Sequence, residues 1–187
     1  MDTGKSQDLK YRLAAALKQC MSNNKVENIT VKQIVSTCGV SRQSFYRNFI
    51  DKYDLINWYF DRLLALSFQA MSEGENIRSG LCRKFAYIRA EKVFFAAAFR
   101  VDEQNNLKEH DFSAIQNFYR HLIRSRSNEE LTARDDKLLE LYCQMSIYMT
   151  VQWVLHGMVM SDSELADLLI DAMPPRIHEL FLRLEIL

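Results

Sequence analysis

A short polar run at residues 42–47 offers hydrogen-bond donors and acceptors suited to nucleic acid. Arg42 can donate two hydrogen bonds to the edge of a guanine, Gln43 can pair with an adenine, and Ser44 can donate or accept. Tyr46 and Arg47 suit the oxygens of a phosphate group. These residue types within about one and a half helical turns predict contacts to both the bases and the backbone of DNA.

Two predicted helices with one glycine between them position this run. The first covers residues 31–38, and Gly39 follows directly, where a chain leaving a helix often needs positive φ. The second covers residues 42–49. Its aromatic residues, Phe45 and Phe49, are four positions apart and face one side, so the polar residues occupy the other sides. This layout predicts a helix-turn-helix whose second helix enters the DNA major groove.

Three residues at predicted helix starts complete the predicted DNA-binding set. Thr30 and Ser41 are N-cap residues for the two helices. Lys52 opens a fourth helix behind the cap Asp51, where an ammonium group and free backbone N–H groups together favour an anion. A single residue of this kind is usually only a cap or a solvated charge, so the prediction rests on the joint pattern.

The charge distribution agrees with a DNA-binding end. Net charge is zero, yet residues 1–60 hold nine Lys or Arg and five Asp or Glu, a balance of 9 − 5 = +4. Residues 61–187 hold fifteen and nineteen, a balance of 15 − 19 = −4. A basic N-terminal part on an acidic body is expected when only one end meets phosphate.

The segment TVKQIVSTCGVSRQSFYRNFIDKYDL (residues 30–55) resembles the N-terminal signature of TetR/AcrR transcriptional regulators. The family form is close to T-x-x-x-I-A-x-x-A-G-V-S-x-x-x-x-Y-x-x-F-x-x-K-x-x-L. The positions in register are Thr30, Ile34, Gly39, Val40, Ser41, Tyr46, Phe49, Lys52 and Leu55. The chain departs from it at Val35 and Cys38, where small alanines are usual, and at Tyr53, where glutamate is common.

This resemblance implies specific roles and partners. It implies base contacts by Arg42, Gln43 and Ser44, and phosphate contacts by the residues Thr30, Tyr46, Arg47 and Lys52. It also implies an all-helical homodimer, held through its last two long helices, that binds a double-stranded DNA operator. An inducer cavity in the C-terminal part is a further implication.

Composition and periodicity independently predict an all-α protein. Two prolines and five glycines leave long helices uninterrupted. We expect a three-helix DNA-binding domain over residues 1–53, joined through a long fourth helix to a dimerisation and effector domain over 54–187. Helices are predicted at about 6–23, 31–38, 42–49, 52–71, 77–90, 91–100, 111–126, 134–160 and 162–185. A polar loop is predicted over 101–111, and Pro174-Pro175 should kink or restart the last helix.

The stretch from Leu138 to Met160 is apolar almost all the way round, which predicts burial on more than one side. Its own domain covers one side, and a partner subunit is the natural cover for the other. Burial wholly within the monomer is the alternative. The candidate interface residues, on this helix and the last one, are Tyr148, Gln152, Trp153, His156, Met160, Leu165, Leu169, Phe181 and Leu184.

Aromatic and methionine side chains on the middle helices fit either an effector cavity or ordinary core, and core is the commoner outcome. They are Tyr87, Phe94, Phe95, Phe99, Tyr119, Tyr142, Met145 and Tyr148. The segment WVLHGMVMSDSELADLLIDAM also resembles a small TetR branch of the dihydroxyacetone-kinase activator type. That likeness implies control by a protein co-activator, so a small-molecule effector and a protein partner both stay open.

A helical enzyme and a protein-interaction module are the rival classes. An enzyme needs a nucleophile, an acid–base pair or a metal set, and the scattered acids Glu91, Glu140 and Asp171 form none. We therefore predict no catalytic residue, no metal and no cofactor. A module that had lost DNA binding would lack polar groups such as Arg42 and Gln43. The prediction is a DNA-binding regulator, with repression favoured and activation as the alternative.

The cysteines and the termini indicate where the protein resides. Cys20, Cys38, Cys82 and Cys143 form no C-x-x-C pair and lie in apolar helical contexts, which is typical of reduced core residues in a cytosolic protein. A redox pair between remote cysteines stays open. The N-terminus lacks a signal-peptide pattern, and no apolar run reaches the roughly 18 residues of a membrane helix. We expect a cytoplasmic protein without a membrane partner.

Overall fold

The computed structural model describes residues 3–72, 76–100, 107–127 and 130–187, and the regular elements within these ranges are helices. The α-helices are α1 Thr3–Met21, α2 Val31–Cys38, α3 Arg42–Tyr46, α4 Lys52–Ser72, α5 Ile77–Ala90, α6 Lys92–Arg100, α7 Leu107–Ser127, α8 Ala133–Leu155, α9 Asp162–Asp171 and α10 Pro175–Arg183. A 3₁₀ turn over Val26–Asn28 links α1 to α2. The predicted all-α fold is therefore confirmed.

The chain forms two compact units that do not follow the predicted boundary at residue 53. Unit 1 contains residues 1–63 together with 91–107, and unit 2 contains 64–90 together with 108–187. Unit 1 therefore includes α6, which comes from the middle of the sequence. A DNA-binding function confined to residues 1–53 stays a prediction.

The helix-turn-helix lies in unit 1 as the sequence predicts. Apolar residues at helical spacing on α1 and α2 form its core, and three of them are wholly buried: Leu13, Leu17 and Ile34. Gly39 follows α2 with left-handed backbone, at a φ of 70°. The N–H of Val40 then donates to the carbonyl of Val35 at 3.0 Å. This pattern ends α2 and directs the chain into α3.

An aromatic stack supports α3 from behind. Phe45 and Phe49 are buried with ring centroids 5.8 Å apart, and Phe49 meets Trp58 of α4 at 5.7 Å. Tyr11 of α1 contacts the same indole at 5.2 Å. Because α3 has only five residues, far fewer than an isolated helix needs for stability, this packing holds it in place.

Unit 2 has α8 in its core, with α5 tied to α9 by ion pairs. Arg78 pairs with both carboxylate oxygens of Asp167, at 2.7 and 2.9 Å. The N–H of Ile77 donates to the carbonyl of Ile186 at 2.8 Å, which fixes the C-terminal residues to the start of α5. The buried residues of α8 recur every three or four positions, so they share one side of the helix, and they include Leu139, Tyr142, Cys143, Ile147, Val151 and Val154.

Two predicted helix bounds differ near unit 1. α3 ends at Tyr46, three residues before the predicted end at residue 49. Phe49 lies beyond the helix and packs on Trp58. α7 begins at Leu107, so residues 107–111, which were predicted as loop, are helical. Residues 101–106 of that loop lie outside the described ranges.

Two further differences concern the end of the chain. α8 ends at Leu155, short of the predicted residue 160, because Gly157 and Met158 both take positive φ, at 89° and 59°. The last predicted helix is two helices, α9 and α10. The break falls at Pro174, which agrees with the predicted restart, since neither proline can donate a helical hydrogen bond.

Gly39→Ala should lower the free energy of unfolding by about 1–2 kcal/mol, because a residue with a Cβ is strained in left-handed backbone. Among the described residues, nothing beyond the chain neighbours lies within 4 Å of the added Cβ, so the effect is conformational. Gly39→Asn should cost less, since asparagine tolerates this conformation better. Urea unfolding followed by circular dichroism measures both, and equal losses for the two variants would contradict the explanation.

Candidate nucleic-acid interface

The outer side of α3 presents the residues predicted to contact bases. Arg42, Gln43 and Arg47 are exposed, and Tyr46 is 51% exposed. Within the described ranges, no hydrogen bond or ion pair occupies the side chains of Arg42, Gln43 or Arg47. This orientation follows from Phe45, whose complete burial fixes the opposite side of the helix. The donors of these side chains are therefore available to another molecule.

Two serines of the predicted set mainly build the start of α3. The Oγ of Ser41 accepts from the N–H of Ser44 at 3.1 Å and lies 2.9 Å from the Ser44 hydroxyl. The carbonyl of Ser44 also accepts from the side chain of Asn48 at 2.8 Å. Ser41 is the expected N-cap, and half-buried Ser44 has less freedom to reach a base than the exposed side chains beside it.

Thr30 forms a reciprocal cap at the start of α2. Its hydroxyl accepts from the N–H of Gln33 at 3.2 Å and donates to the Gln33 side-chain oxygen at 2.9 Å. That oxygen also accepts from the N–H of Thr30 at 2.8 Å. The capping role is thus present. Because the hydroxyl proton is already donated, a phosphate contact through it requires displacing the Gln33 amide.

Lys52 departs from its predicted role as a phosphate ligand. Its Nζ donates to the carbonyls of Val26, Glu27 and Ile29 at 2.7, 2.8 and 2.8 Å, so all three ammonium protons are used within the protein. Burial lowers the pKa of this ammonium against the opposing charges of Glu27 and Asp51. Lys52 therefore fastens the turn between α1 and α2, and it meets a phosphate only by breaking one of these bonds.

The start of α4 also differs from the anion site that was predicted there. Oδ1 of Asp51 accepts from the N–H groups of Tyr53 and Asp54, at 2.8 and 2.9 Å. The carboxylate of Asp54 accepts from the N–H of Ile50 at 2.8 Å. The backbone donors are thus paired with the protein's own carboxylates, and their negative charge opposes a phosphate at this position.

Two cations at Trp58 were not selected from the sequence. Lys10 Nζ lies 5.3 Å from the ring centroid of Phe49 and 5.7 Å from that of Trp58. The guanidinium of Arg62 lies 5.9 Å from the same indole. The faces of these rings attract the two cations electrostatically. No spacing in the sequence reveals this cluster, because its members come from α1, from the segment after α3 and from α4.

Three residues predicted to line an effector cavity are core residues of unit 1. Phe94 meets Tyr59 edge to face at 5.0 Å, and Phe95 meets Phe60 at 5.9 Å. Phe99 packs on Phe95 at 5.8 Å. All three phenylalanines are almost fully buried, so here the commoner outcome for aromatic residues, ordinary core, applies.

The other predicted cavity residues lie in unit 2 but do not share one cavity. Tyr119 and Tyr142 border a void of about 10 Å³, which is room for at most one water molecule. Burial raises the pKa of both hydroxyls, and the Tyr142 hydroxyl has no hydrogen-bond partner among the described residues. Tyr87 and Met145 are half-buried, whereas Tyr148 is 63% exposed. The predicted set therefore divides among three environments.

Tyr148 lines an open cleft between α7 and α8. The cleft has a volume of about 250 Å³. Apolar atoms dominate its walls, and Lys108 and Glu109 supply the charged side chains there. The apolar wall residues besides Tyr148 are Phe112, Ile147 and Val151. An exposed tyrosine beside an apolar cleft marks this side of unit 2 as a candidate contact surface.

Four residues predicted for the dimer interface are instead core residues of the single chain. Trp153 packs on Phe85 at 5.5 Å, and its Nε1 donates to the carbonyl of Met160 at 2.8 Å. The other three, at most 1% exposed, are Leu165, Leu169 and Phe181. Periodicity marked these side chains as apolar but could not tell which surface covers them. The predicted residues that keep accessible surface are Tyr148, Gln152, His156, Met160 and Leu184.

Among the described residues, no group of three or more His, Cys, Asp or Glu side chains could hold a metal ion. The four cysteines are unpaired. Only Cys143 is a core residue, and burial raises the pKa of its thiol to about 12, whereas the other three are half-buried. In the described ranges, no helix is both long enough and apolar enough to cross a membrane.

Comparison with known proteins matches both parts of the chain. Residues 13–58 match the family described as bacterial regulatory proteins, tetR family, and residues 75–174 match one described as transcriptional regulator C-terminal region. The chain is 26% identical over 91 residues to an HTH-type dhaKLM operon transcriptional activator, DhaS, of Lactococcus lactis subsp. lactis. That match spans only about half of either protein, 49% of each.

Two solved structures share the fold. One is the dihydroxyacetone kinase operon activator DhaS, with a TM-score of 0.67 at 18% identity, covering 95% of this chain and 97% of that one. The other is a transcriptional regulator from Rhodococcus sp. Rha1, with a TM-score of 0.51 at 14% identity, covering 88% and 95%. At these identities the likeness concerns the arrangement of helices alone.

Lys52→Met should lower the free energy of unfolding by about 1–3 kcal/mol, because three backbone carbonyls lose a charged donor while the aliphatic packing is kept. Lys25→Met is the matched control, since Lys25 is an exposed lysine beside the same turn and its side chain forms no cap. Urea unfolding compares the two variants. An equal, small loss for both would show that Lys52 is only a solvated charge.

Proposed function

Because this chain belongs to the TetR family of bacterial transcriptional regulators, we propose that it binds a near-palindromic DNA operator as a homodimer and controls transcription there. One observation carries the proposal: Arg42, Gln43 and Arg47, on and next to α3, are exposed and have no side-chain partner among the described residues, while Phe45 and Phe49 are buried behind them. A short polar helix supported by buried rings resembles the recognition helix of a helix-turn-helix, which contacts base edges in the major groove.

The proposed contacts follow from accessibility. Arg42 and Gln43, exposed at the start of α3, read bases, with half-buried Ser44 in a lesser role. Tyr46 and Arg47 contact phosphates. Thr30 takes part only as the cap that orients α2, and Lys52 only as the fastener of the preceding turn. The two α3 helices of the dimer occupy half-sites about 34–36 Å apart or at a multiple of that spacing.

The proposed dimer surface is the exposed side of α8. Leu141, Gln144, Tyr148 and Gln152 recur at helical spacing there, and Leu141 and Tyr148 are 52% and 63% exposed. A two-fold dimer brings the same patch of each subunit together. Tyr148 stands beside the apolar cleft of about 250 Å³, so projecting residue and receiving cleft lie on one surface, as self-association requires.

The sign of regulation has two candidates. Repression follows if the dimer covers a promoter, and repression is the outcome predicted from the sequence. Activation is the second candidate, because the curated relative and the structural neighbour are both described as operon activators. A reporter gene behind the native promoter, with and without the protein, separates the two outcomes.

Control through the C-terminal part also has two forms. A small inducer needs a site of roughly 300–1,000 Å³, whereas the void at Tyr119 and Tyr142 has about 10 Å³. A small inducer at that void therefore requires unit 2 to open. A second cleft of about 540 Å³ in unit 2, bordered by Arg120, Arg124 and Asp136, needs no such opening. A small effector and a protein partner are therefore both candidates.

In vitro selection from random-sequence duplex DNA tests the proposal without knowledge of the operator. The full chain should enrich a sequence with two inverted half-sites, and anisotropy titrations with the enriched duplex should give saturable binding. A scrambled duplex of equal length serves as the control. Failure to enrich any sequence, with equal affinity for both duplexes, would overturn sequence-specific binding.

Arg42→Ala should weaken binding to the selected duplex by about 1–3 kcal/mol and relax the preference at one base position. Arg47→Ala should weaken binding to all duplexes alike and reduce the salt slope by about 0.9. Lys52→Met should leave that slope unchanged, because its ammonium is already bonded. Titrations at several salt concentrations measure all three. A slope that falls for Lys52→Met and not for Arg47→Ala would reverse these roles.

Tyr148→Glu should convert the dimer to monomers, because two carboxylates would have to be desolvated in an isologous contact. Val93→Glu is the control, since Val93 is 52% exposed but lies on α6 in unit 1. Sedimentation velocity measures the oligomeric state, and circular dichroism checks folding. Dimers that persist in the folded Tyr148→Glu variant would remove this side of α8 from the interface.

A further inference from the structure

A compact polar network lies inside unit 1, away from α3. The Nζ of Lys18 donates to both carboxylate oxygens of Glu91 at 2.9 Å and to the hydroxyl of Tyr59 at 2.9 Å. The Tyr59 hydroxyl in turn donates to Oε1 of Glu91 at 2.9 Å. The three residues come from α1, from α4 and from the position just before α6. Each therefore bonds to the other two.

The network is partly shielded from water. The side chains of Lys18 and Glu91 are 30% and 23% exposed, and Tyr59 is buried. Burial alone lowers the pKa of the Lys18 ammonium, but its hydrogen bonds to Tyr59 and Glu91 and their charges outweigh that effect, so this pKa is raised. The charged form is thus the favoured one. Networks of this kind fix geometry, since a satisfied arrangement tolerates little displacement.

Glu91 belongs to a segment that family resemblance assigns to the body of the protein. It lies outside the matched region 13–58 and inside the matched region 75–174. The structure nevertheless places Glu91 and α6 in unit 1, with the helix-turn-helix. Packing agrees, because Phe94 and Phe95 contact Tyr59 and Phe60 of α4. The chain enters unit 1 from unit 2 at residue 91.

A continuous series of contacts leads from Glu91 to the back of α3. Tyr59 bonds to Glu91, and the preceding residue of α4, Trp58, packs on Phe49 at 5.7 Å. Phe49 packs on Phe45 at 5.8 Å, and Phe45 is the buried residue of α3. A shift of α4 at Tyr59 therefore moves the support on which α3 rests.

We propose that Glu91 is a positioning residue for DNA reading: by holding Lys18 and Tyr59, its carboxylate sets α1 and α4 in the register that presents α3 to base edges. The inference rests on the proposed function. It adds a residue outside the helix-turn-helix to the DNA-reading apparatus. It also means that a displacement of Glu91 affects base reading more than phosphate contacts.

The test separates positioning from plain stabilisation. Glu91→Gln and Lys18→Met remove the charges, and the double variant completes a thermodynamic cycle. Phe95→Leu is the control, since it weakens the packing of α6 on α4 without removing an atom of the network. Anisotropy titrations give the ratio of affinities for the selected duplex and its scramble, at a temperature equally far below each variant's unfolding midpoint.

We expect each network variant to lower that ratio by about three- to tenfold, the size expected for a coupled but remote residue. The affinity for the scrambled duplex should stay at the wild-type value, because phosphate contacts need less exact placement. The double variant should lose no more than either single one. Phe95→Leu should keep the wild-type ratio.

An equal fall of both affinities, an unchanged ratio, or the same loss of ratio in Phe95→Leu would each overturn the positioning role. A second measurement needs no DNA. Hydrogen exchange of the amide of Phe49, which donates to the carbonyl of Phe45, should be faster by about three- to tenfold in Glu91→Gln and unchanged in Phe95→Leu. If the wild-type protein selects no DNA, the proposed function fails, and this exchange result alone decides whether Glu91 sets α3.

Discussion

A helix of five residues has too few internal hydrogen bonds to persist in water, so α3 depends on what packs behind it. Phe45 supplies that packing by burial on Phe49, which in turn packs on Trp58. The constraint also determines the outer surface. Once these two rings are buried, helical geometry leaves Arg42, Gln43 and Arg47 facing solvent. Capping by Ser41 and the left-handed Gly39 then fix where the helix begins.

The cations of unit 1 divide into two kinds with different physical tasks. Lys52 and Lys18 have their ammonium protons bonded to protein oxygens, so they join segments that are distant in sequence. Arg42 and Arg47 have no such acceptors among the described residues and remain for another molecule. The number of Lys and Arg residues near the N-terminus is therefore larger than the number of cations available to a phosphate. Counting charges could not separate the two kinds, because the acceptors of Lys52 are backbone carbonyls and those of Lys18 lie more than 40 residues away in the chain.

For the apolar residues of unit 2, too, the sequence does not show what each side chain contacts. Helical spacing identified Trp153, Leu165, Leu169 and Phe181 as residues that must be covered, and they are covered by their own chain. The buried aromatic residues of the predicted cavity fill two separate cores, because α6 belongs to unit 1 whereas α7 and α8 belong mainly to unit 2. A hydrophobic pattern predicts that a side of a helix is buried, but it does not predict which part of the protein, or which partner, covers that side.

The sequence by itself determined the helices, the cap at Thr30, the glycine turn and the polar side of α3, since these depend on neighbours within about one turn of the chain. It also carried the family, through side chains at fixed spacing. Only the tertiary structure decided that Lys52 is bonded to the turn at residues 26–29, that Glu91 joins Lys18 and Tyr59, and that α6 lies with the helix-turn-helix. Those outcomes depend on partners more than 20 residues away in the chain, and no local pattern contains them.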